Sequence, residues 1–181
     1  MARPPLARER VLDAYESMLI AEGERAATLV AVARIAGVSK GGLLYHFASK
    51  DDLAAAILRR LDALVEEDIE RMSHAAEGRV AYYMRTSVME DDALDRALIA
   101  ASRLAQAGHP DAAEALRRVR AQWAETLRPA VRDETALQLV MLISDGLYYN
   151  NILDSADGAG PTTPKDGALA ELIELVERTV S

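Results

Sequence analysis

The chain has 181 residues, which is enough for one domain or two small ones. Half of the residues are hydrophobic, only 4% are aromatic and none is cysteine. The lack of cysteine excludes disulfides, thiolate zinc sites and cysteine nucleophiles. No run of 18 apolar residues occurs, which excludes a membrane-spanning helix, and the first ten residues, MARPPLARER, lack the apolar core of a signal peptide. We therefore expect a cytoplasmic protein whose abundant Ala and Leu favour helices over sheets.

The net charge of −8 argues at first against a nucleic-acid partner, but the charge is unevenly distributed. Residues 1–60 contain nine Lys and Arg against seven Asp and Glu, a net charge of +2, which leaves −10 for the rest of the chain. A slightly basic head joined to an acidic body indicates two separate tasks. An ordinary solvated helix surface would give the same pattern, so charge alone leaves both interpretations open.

The first sixty residues predict a helical head. Apolar residues at helical spacing predict a helix over residues 6–22, ending at Gly23. Two short helices follow, over 28–36 and about 39–46, separated by the C′ glycine Gly37. Two short helices joined by a tight glycine turn are typical of a helix-turn-helix.

Ser49 and Asp52 form an S-x-x-D capping box that predicts a long fourth helix reaching about Met72. Further helices are predicted over 76–89, 92–107, 110–128, 133–153 and 167–180, and residues 155–167 form a predicted loop rich in Gly, Pro and Thr. The fold class is therefore all-α: a three-helix, helix-turn-helix DNA-binding head over residues 1–50 and a larger helical domain over 51–181.

The predicted helix over 133–153 is apolar almost all the way round, in the stretch LQLVMLISDGLYY. Such a helix is expected to be buried on every side. One side can face the core of its own chain and the other a second copy, so this helix and the one at 167–180 predict a four-helix homodimer interface. A monomer with one central helix is the alternative.

The stretch AGVSKGGLLYHFASKDDL, residues 36–53, contains the residues expected to bind DNA. The second helix of a helix-turn-helix enters the major groove, and its N-terminal amides attract phosphate. Glycines there let the backbone approach closely. We expect Phe47 to lie in the core of the head. The residues predicted to face DNA are Ser39, Lys40, Gly41, Gly42, Tyr45, His46 and Lys50.

The segment TLVAVARIAGVSKGGLLYHFASKDDL resembles the DNA-binding head of the TetR family of bacterial transcriptional regulators. The resemblance covers roughly residues 8–55. It rests on a threonine that opens the second helix, on AGVS, on a glycine, on an aromatic pair ending in HF, and on K-x-x-L. The matching residues are Thr28, Ala36, Gly37, Val38, Ser39, Gly41, His46, Phe47, Lys50 and Leu53.

The resemblance also implies roles for two residues of the head. It adds Thr28 to the predicted DNA contacts. It also adds Leu44 to these contacts, at the position where the family usually has a phosphate-contacting tyrosine. Tyr45 lies next to it, but one step along a helix rotates a side chain by about 100°. We therefore expect Tyr45 to lie near the groove without strictly replacing the missing tyrosine.

The resemblance further implies that the larger domain binds a small-molecule effector that releases a palindromic double-stranded DNA operator. The predicted effector residues are Tyr82, Met89, Arg103, Trp123, Asp145 and Tyr149. Asp145 interrupts the apolar helix and needs a partner if it is buried. A cationic ligand, an arginine such as Arg103, or the second copy of the chain could supply it.

Two alternative functions remain open at this point. The body could dock a protein partner instead of a small molecule. An all-helical enzyme is less favoured, because the sequence shows no catalytic constellation and no paired metal-binding motif: its three histidines are scattered. We therefore expect no catalytic residues, no metal, no cofactor and no membrane partner. The operator sequence, the effector, and the choice between repressor and activator are not encoded in any motif of the chain.

Overall fold

The computed structural model describes residues 4–88, 91–157 and 163–181. Within these ranges the chain forms nine α-helices, a short 3₁₀ turn at Arg128–Ala130 and no β-strand. The all-α prediction is therefore confirmed, and every predicted helix is present with ends shifted by four residues at most. The helices are α1 Pro4–Glu22, α2 Leu29–Ile35, α3 Lys40–His46, α4 Lys50–Ser73, α5 Arg79–Thr86, α6 Ala93–Gln106, α7 Pro110–Leu127, α8 Glu134–Asp157 and α9 Asp166–Val180.

The described residues form two compact units. Unit 1 runs to Val65 and also contains Asp92–Val119, so it holds α1, α2, α3, α6 and the first parts of α4 and α7. Unit 2 contains the described residues of Glu66–Asp91 and Arg120–Ser181, which include α5, α8 and α9. The predicted head thus lies in a unit that also contains α6.

The core of the head forms around α1. Its residues Val11, Tyr15 and Leu19 are fully buried, as their helical spacing predicts. The same helix contacts α2, α3 and α6. Phe47, at the end of α3, is buried as predicted. The short helices α2 and α3 therefore depend on packing against α1, since helices of seven residues are not stable alone.

The turn between α2 and α3 is a Schellman motif. Gly37 adopts φ +65°, a conformation that favours glycine. Its N–H donates to the carbonyl of Arg34 at 3.3 Å, and the N–H of Val38 donates to the carbonyl of Ala33 at 3.0 Å. These two bonds satisfy the last carbonyls of α2 and fix the sharp angle at which α3 begins.

The predicted capping box at the start of α4 is present. The N–H of Ser49 donates to Asp52 Oδ2 at 3.0 Å, and the N–H of Asp52 donates to Ser49 Oγ at 3.1 Å. Both bonds satisfy amides that the helix itself leaves free. This cap fixes where α4 starts, directly after the buried Phe47.

A buried carboxylate ties three helices of unit 1 together. Glu16, on α1, is 5% exposed. Its Oε1 lies 3.5 Å from Arg60 Nη1 on α4, and its Oε2 lies 3.4 Å from Arg96 Nε on α6. Arg60 also pairs with Asp13 at 2.8 Å. We call this cluster the Glu16 junction, and its members are Glu16, Arg60 and Arg96.

Unit 2 is built around α5, in which the five residues from Val80 to Met84 are all buried. The helix packs against α8 and α9. The buried cluster includes Leu137, Val140 and Met141 from α8, and Val176 from α9. Unit 2 therefore has a hydrophobic core of its own, against which its helices pack.

Helix α8 buries only one of its faces within the chain. Leu137, Val140, Ser144 and Leu147 lie on the buried face. One side of this helix therefore faces the core of its own chain, as the sequence analysis expects. Its opposite face exposes large apolar side chains, which are Leu139, Leu142 and Tyr149.

The described residues contain neither a membrane-spanning helix nor a metal-binding cluster. No helix there is long and apolar enough to cross a lipid bilayer. No group of three or more His, Asp or Glu side chains in these residues is placed to hold a metal ion.

The Glu16 junction leads to a prediction about stability. Glu16→Ala removes the acid between two arginines and leaves both with fewer partners in a largely buried place. We expect a loss of about 2 kcal/mol in the free energy of unfolding, below the range for a fully buried pair because both arginines are partly exposed. Urea unfolding followed by circular dichroism measures it.

The matched control is Glu114→Ala. Glu114 pairs with Arg117 one helical turn away on the surface of α7, in the same unit. Such exposed pairs contribute less than about 1 kcal/mol. Equal losses in the two variants would contradict a structural role for the junction.

Candidate nucleic-acid interface and effector site

Helix α3 has one packed face and one open face. Lys40, Gly41, Leu44 and Tyr45 are exposed, while Leu43 is fully buried. Residues three and four positions apart share a helix surface, so the exposed residues form one continuous strip. The second helix of a helix-turn-helix presents this strip to the major groove.

The two adjacent glycines of α3 differ in their surroundings. A Cβ on Gly42 would lie 3.2 Å from Ser39 Oγ, the atom that accepts the N–H of Gly42 at 3.0 Å and caps the helix. The cap therefore favours glycine at position 42. A Cβ on Gly41 would lie 3.9 Å from the same oxygen, which is ordinary contact. Folding does not require glycine at position 41, so its bare backbone is available for close approach by another molecule.

The surface of the head carries Thr28 and the aromatic side chains that were predicted to contact DNA. Thr28 is exposed and caps α2, because its Oγ1 accepts the N–H of Ala31 at 3.2 Å. Tyr45 is 84% exposed, and its ring meets the ring of His46 edge-on at 5.1 Å. Tyr45 therefore projects from the head instead of packing into it. Leu44, where the family usually has tyrosine, is also exposed.

Lys50 is engaged within the chain. Its Nζ lies 2.6 Å from Glu24 Oε1 and donates to the main-chain carbonyl of Glu24. The ammonium thus ties the start of α4 to the loop after α1. Sequence analysis did not identify this partner, because the two residues lie 26 positions apart and no local pattern links them.

The surroundings of Lys50 are acidic. An open cleft of about 580 Å³ in unit 1 is lined by Glu24, Asp51, Asp52 and Asp111, with His109 among its other residues. Carboxylates at this density repel phosphate. The surface best suited to DNA is therefore the exposed strip of α3, together with the first turn of α2.

Two predicted effector residues meet on a buried acid in unit 2. Tyr82 Oη donates to Asp68 Oδ1 at 3.0 Å, and Trp123 Nε1 donates to Asp68 Oδ2 at 3.0 Å. Arg71 Nε donates to Tyr82 Oη at 3.3 Å. Asp68 is 4% exposed. This buried carboxylate therefore accepts its hydrogen bonds from the hydroxyl of Tyr82 and the indole N–H of Trp123.

The sequence analysis did not single out Asp68 as a candidate site residue. The spacing of apolar residues along α4 could have identified this acid as buried. The buried positions in the second half of α4 are Leu61, Val65, Asp68 and Met72, at steps of four, three and four. Asp68 therefore falls on the buried stripe of the helix.

The interior of unit 2 holds other polar groups close to these rings. Tyr83 lies against Trp123, with ring centroids 5.8 Å apart, and burial raises the pKa of Tyr83 to about 12. The hydroxyls of Ser87 and Ser144 are hydrogen-bonded at 2.6 Å. Asn151 Nδ2 donates to the carbonyl of Ser87 at 3.3 Å. Unit 2 thus combines aromatic surface with several polar side chains, the composition typical of small-molecule sites.

The other predicted effector residues are not brought to this place. Asp145 lies on the exposed face of α8, so the expectation of a buried carboxylate is wrong. Its partner is an arginine, which is one of the three partners considered, but it is Arg120 at 2.8 Å and not Arg103. Arg103 is exposed and belongs to unit 1. Tyr149 is 61% exposed on α8. Met89 lies outside the described residues.

Comparison with known proteins places these features in a family. Residues 11–57 match the family model of bacterial regulatory proteins, tetR family. Residues 77–177 match the model of the tetracyclin repressor-like C-terminal domain. No curated protein matches the sequence.

Several solved structures resemble the whole chain. A TetR-family member from Streptomyces coelicolor A3 is 24% identical, with a TM-score of 0.68 over 98% of this chain and 99% of that one. A Saccharomonospora viridis protein in complex with choline is 18% identical, with a TM-score of 0.66 over 95% of this chain and 94% of that one. The multidrug binding protein EbrR, complexed with imidazole, is 26% identical, with a TM-score of 0.58 over 96% of this chain and 94% of that one.

The two family models cover the helix-turn-helix and most of the larger domain, and the solved structures share the fold over nearly the full length. The chain belongs to the TetR family of bacterial transcriptional regulators.

Proposed function

We propose that this regulator is a repressor whose dimer binds a palindromic operator and releases it when a small molecule binds in unit 2. The observation that carries this proposal is the open strip of α3, which follows a fixed Schellman turn and has a bare glycine backbone at its centre. The strip is presented by a helix-turn-helix that matches the DNA-binding model of the family.

The proposed DNA contacts differ in the role that each plays. Lys40 supplies positive charge, and Thr28 and Tyr45 supply hydroxyls on the exposed surface of the head, where phosphate contacts position a protein on the duplex. Lys50 has a structural partner in Glu24, so we assign it a supporting role at the head. The remaining proposed contacts are Ser39, Gly41, Gly42, Leu44 and His46.

The proposed dimer forms through α8 and α9. Leu139, Leu142 and Tyr149 on α8 and Leu175 on α9 are large apolar side chains left exposed by the single chain. Gly146 lies on the exposed face of α8, and a Cβ there would touch nothing within 4 Å, so a second helix can approach closely. A two-fold dimer would present its two heads to half-sites about one helical turn, roughly 34–36 Å, apart.

The proposed effector site lies around Asp68, Tyr82 and Trp123. A carboxylate and aromatic rings together suit a small organic cation, since both attract positive charge. Choline and imidazole, bound by the two similar proteins described above, are compatible with such a site. An effector that binds better to a state with the wrong head spacing shifts the population away from DNA.

The DNA-binding proposal can be tested without knowing the operator. The full chain is incubated with a pool of random duplexes, the bound fraction is amplified over several rounds, and the selected duplex is titrated at two salt concentrations. We expect a palindrome that binds more weakly at higher salt, because phosphate contacts release counterions. A bound fraction that stays random in sequence would contradict the proposal.

We expect the glycine at position 41 to lower the stability of the fold and to strengthen DNA binding. Gly41→Ala replaces a helical glycine where a Cβ has room, so we expect the free energy of unfolding to rise by up to about 1 kcal/mol. The added methyl group should hold the backbone away from DNA and weaken binding of the selected duplex by about tenfold, roughly 1.4 kcal/mol. Gly167→Ala in α9 is the matched control, and it should leave DNA affinity unchanged. Unchanged affinity in Gly41→Ala would show that DNA does not approach this backbone.

The dimer proposal is tested with Leu142→Glu. A charge in the middle of the exposed apolar face of α8 should be costly to bury, so sedimentation should show monomers at concentrations where the native chain is dimeric. Ile35→Glu makes the same exchange at an exposed apolar side chain of α2 and should stay dimeric. If Leu142→Glu sediments like the native chain, the interface lies elsewhere.

A further inference from the structure

The exposed large apolar side chains of this protein are concentrated in a few places. Within the described part of the chain, α4, α5, α6 and α7 carry none. One group lies on α8 and α9, where the proposed dimer would cover it. A second group lies on the two short helices of the head, and Leu6 is exposed by itself on α1. This second group consists of Val30, Ile35, Leu44 and Tyr45.

Leu44 is the member of this group that lies on the open strip of α3. It follows Lys40 by four positions and Gly41 by three, so the three residues share one helix surface. Leu44 is 38% exposed, whereas its neighbour Leu43 is fully buried. An aliphatic side chain on this strip cannot donate or accept a hydrogen bond, so it adds nothing to phosphate binding.

The major groove of B-DNA offers one apolar group to such a side chain, which is the C5-methyl of thymine. Gly41, which has no side chain, lets the strip approach the groove. The polar readers on the strip are few, with Lys40 as its charged member. Apolar contact is therefore a substantial part of what this strip can offer to the base edges.

We propose that Leu44 reads a thymine methyl group in the major groove, so that the operator contains a thymine at a fixed position in each half-site. This inference rests on the proposed operator binding and adds the chemical group that gives it specificity. It also assigns a role to the position at which the chain departs from the tyrosine usual in its family.

Deoxyuridine tests this proposal cleanly, because it removes only the C5-methyl and keeps every hydrogen-bonding group of thymine. Each thymine of the selected duplex is replaced in turn, in both half-sites together, and binding is titrated with the full-length protein. Burying one methyl group corresponds to about fourfold in affinity, so loss of two should weaken binding about fifteenfold. We expect this loss at one thymine position per half-site.

Leu44→Ala identifies the side chain that makes the contact. This variant should bind the thymine duplex more weakly, and deoxyuridine at the sensitive position should cause little further loss. Because Leu44 lies outside the core, the variant should keep the far-ultraviolet circular dichroism of the native chain. Lys40→Ala is the matched control on the same strip: it should weaken binding overall but keep the full deoxyuridine effect.

Two results would overturn the proposal. In one, no thymine of the selected duplex responds to deoxyuridine. In the other, the response is the same in Leu44→Ala as in the native chain. Failure of the selection to give any preferred sequence would overturn operator binding itself, and with it this inference, before any deoxyuridine is introduced. The failure of the proposed function and the failure of methyl reading are therefore distinguishable.

Discussion

The buried carboxylate of Glu16 is the constraint on which the arrangement of unit 1 depends. It lies between Arg60 of α4 and Arg96 of α6, so three helices from distant parts of the sequence share one set of charges. A largely buried acid requires its partners, because an unpaired charge there costs several kcal/mol. The helix-turn-helix packs against the same α1, so the orientation of α3 follows from how α1 is held.

In the proposed function the two units have different roles. Unit 1 contains α6 and the strip of α3 that we propose binds DNA, while unit 2 contains the aromatic cluster around Asp68 and the exposed apolar face of α8. Helices α4 and α7 are the elements whose residues belong to both units. An effector bound near Asp68 would contact α4 directly, since Asp68 is a residue of that helix. We infer that α4, which has residues in both units, transmits the effect of effector binding from unit 2 to the head. This helix would then be the physical basis of the population shift proposed above.

Local patterns in the sequence were sufficient for the helices and their caps. The Gly37 turn and the Ser49–Asp52 box depend on residues within a few positions of each other, and both are present as predicted. Contacts between distant residues were not predictable in the same way. No local signal links Lys50 to Glu24, or Asp145 to its partner arginine. Asp68 is the exception, because its place on the apolar stripe of α4 could have shown that this acid is buried.

Native-state hydrogen exchange tests most directly whether the Glu16 junction joins the head and α6 into one cooperative unit. Amide exchange is followed residue by residue at increasing, sub-denaturing concentrations of denaturant. We expect the slowest amides of α1, the first part of α4 and α6 to open with one common free energy, distinct from that of α5 and α9. We also expect Glu16→Ala to lower this common value. If α6 instead opens together with α5 and α9, or if Glu16→Ala leaves the exchange of α6 unchanged, the junction does not unite the head with α6.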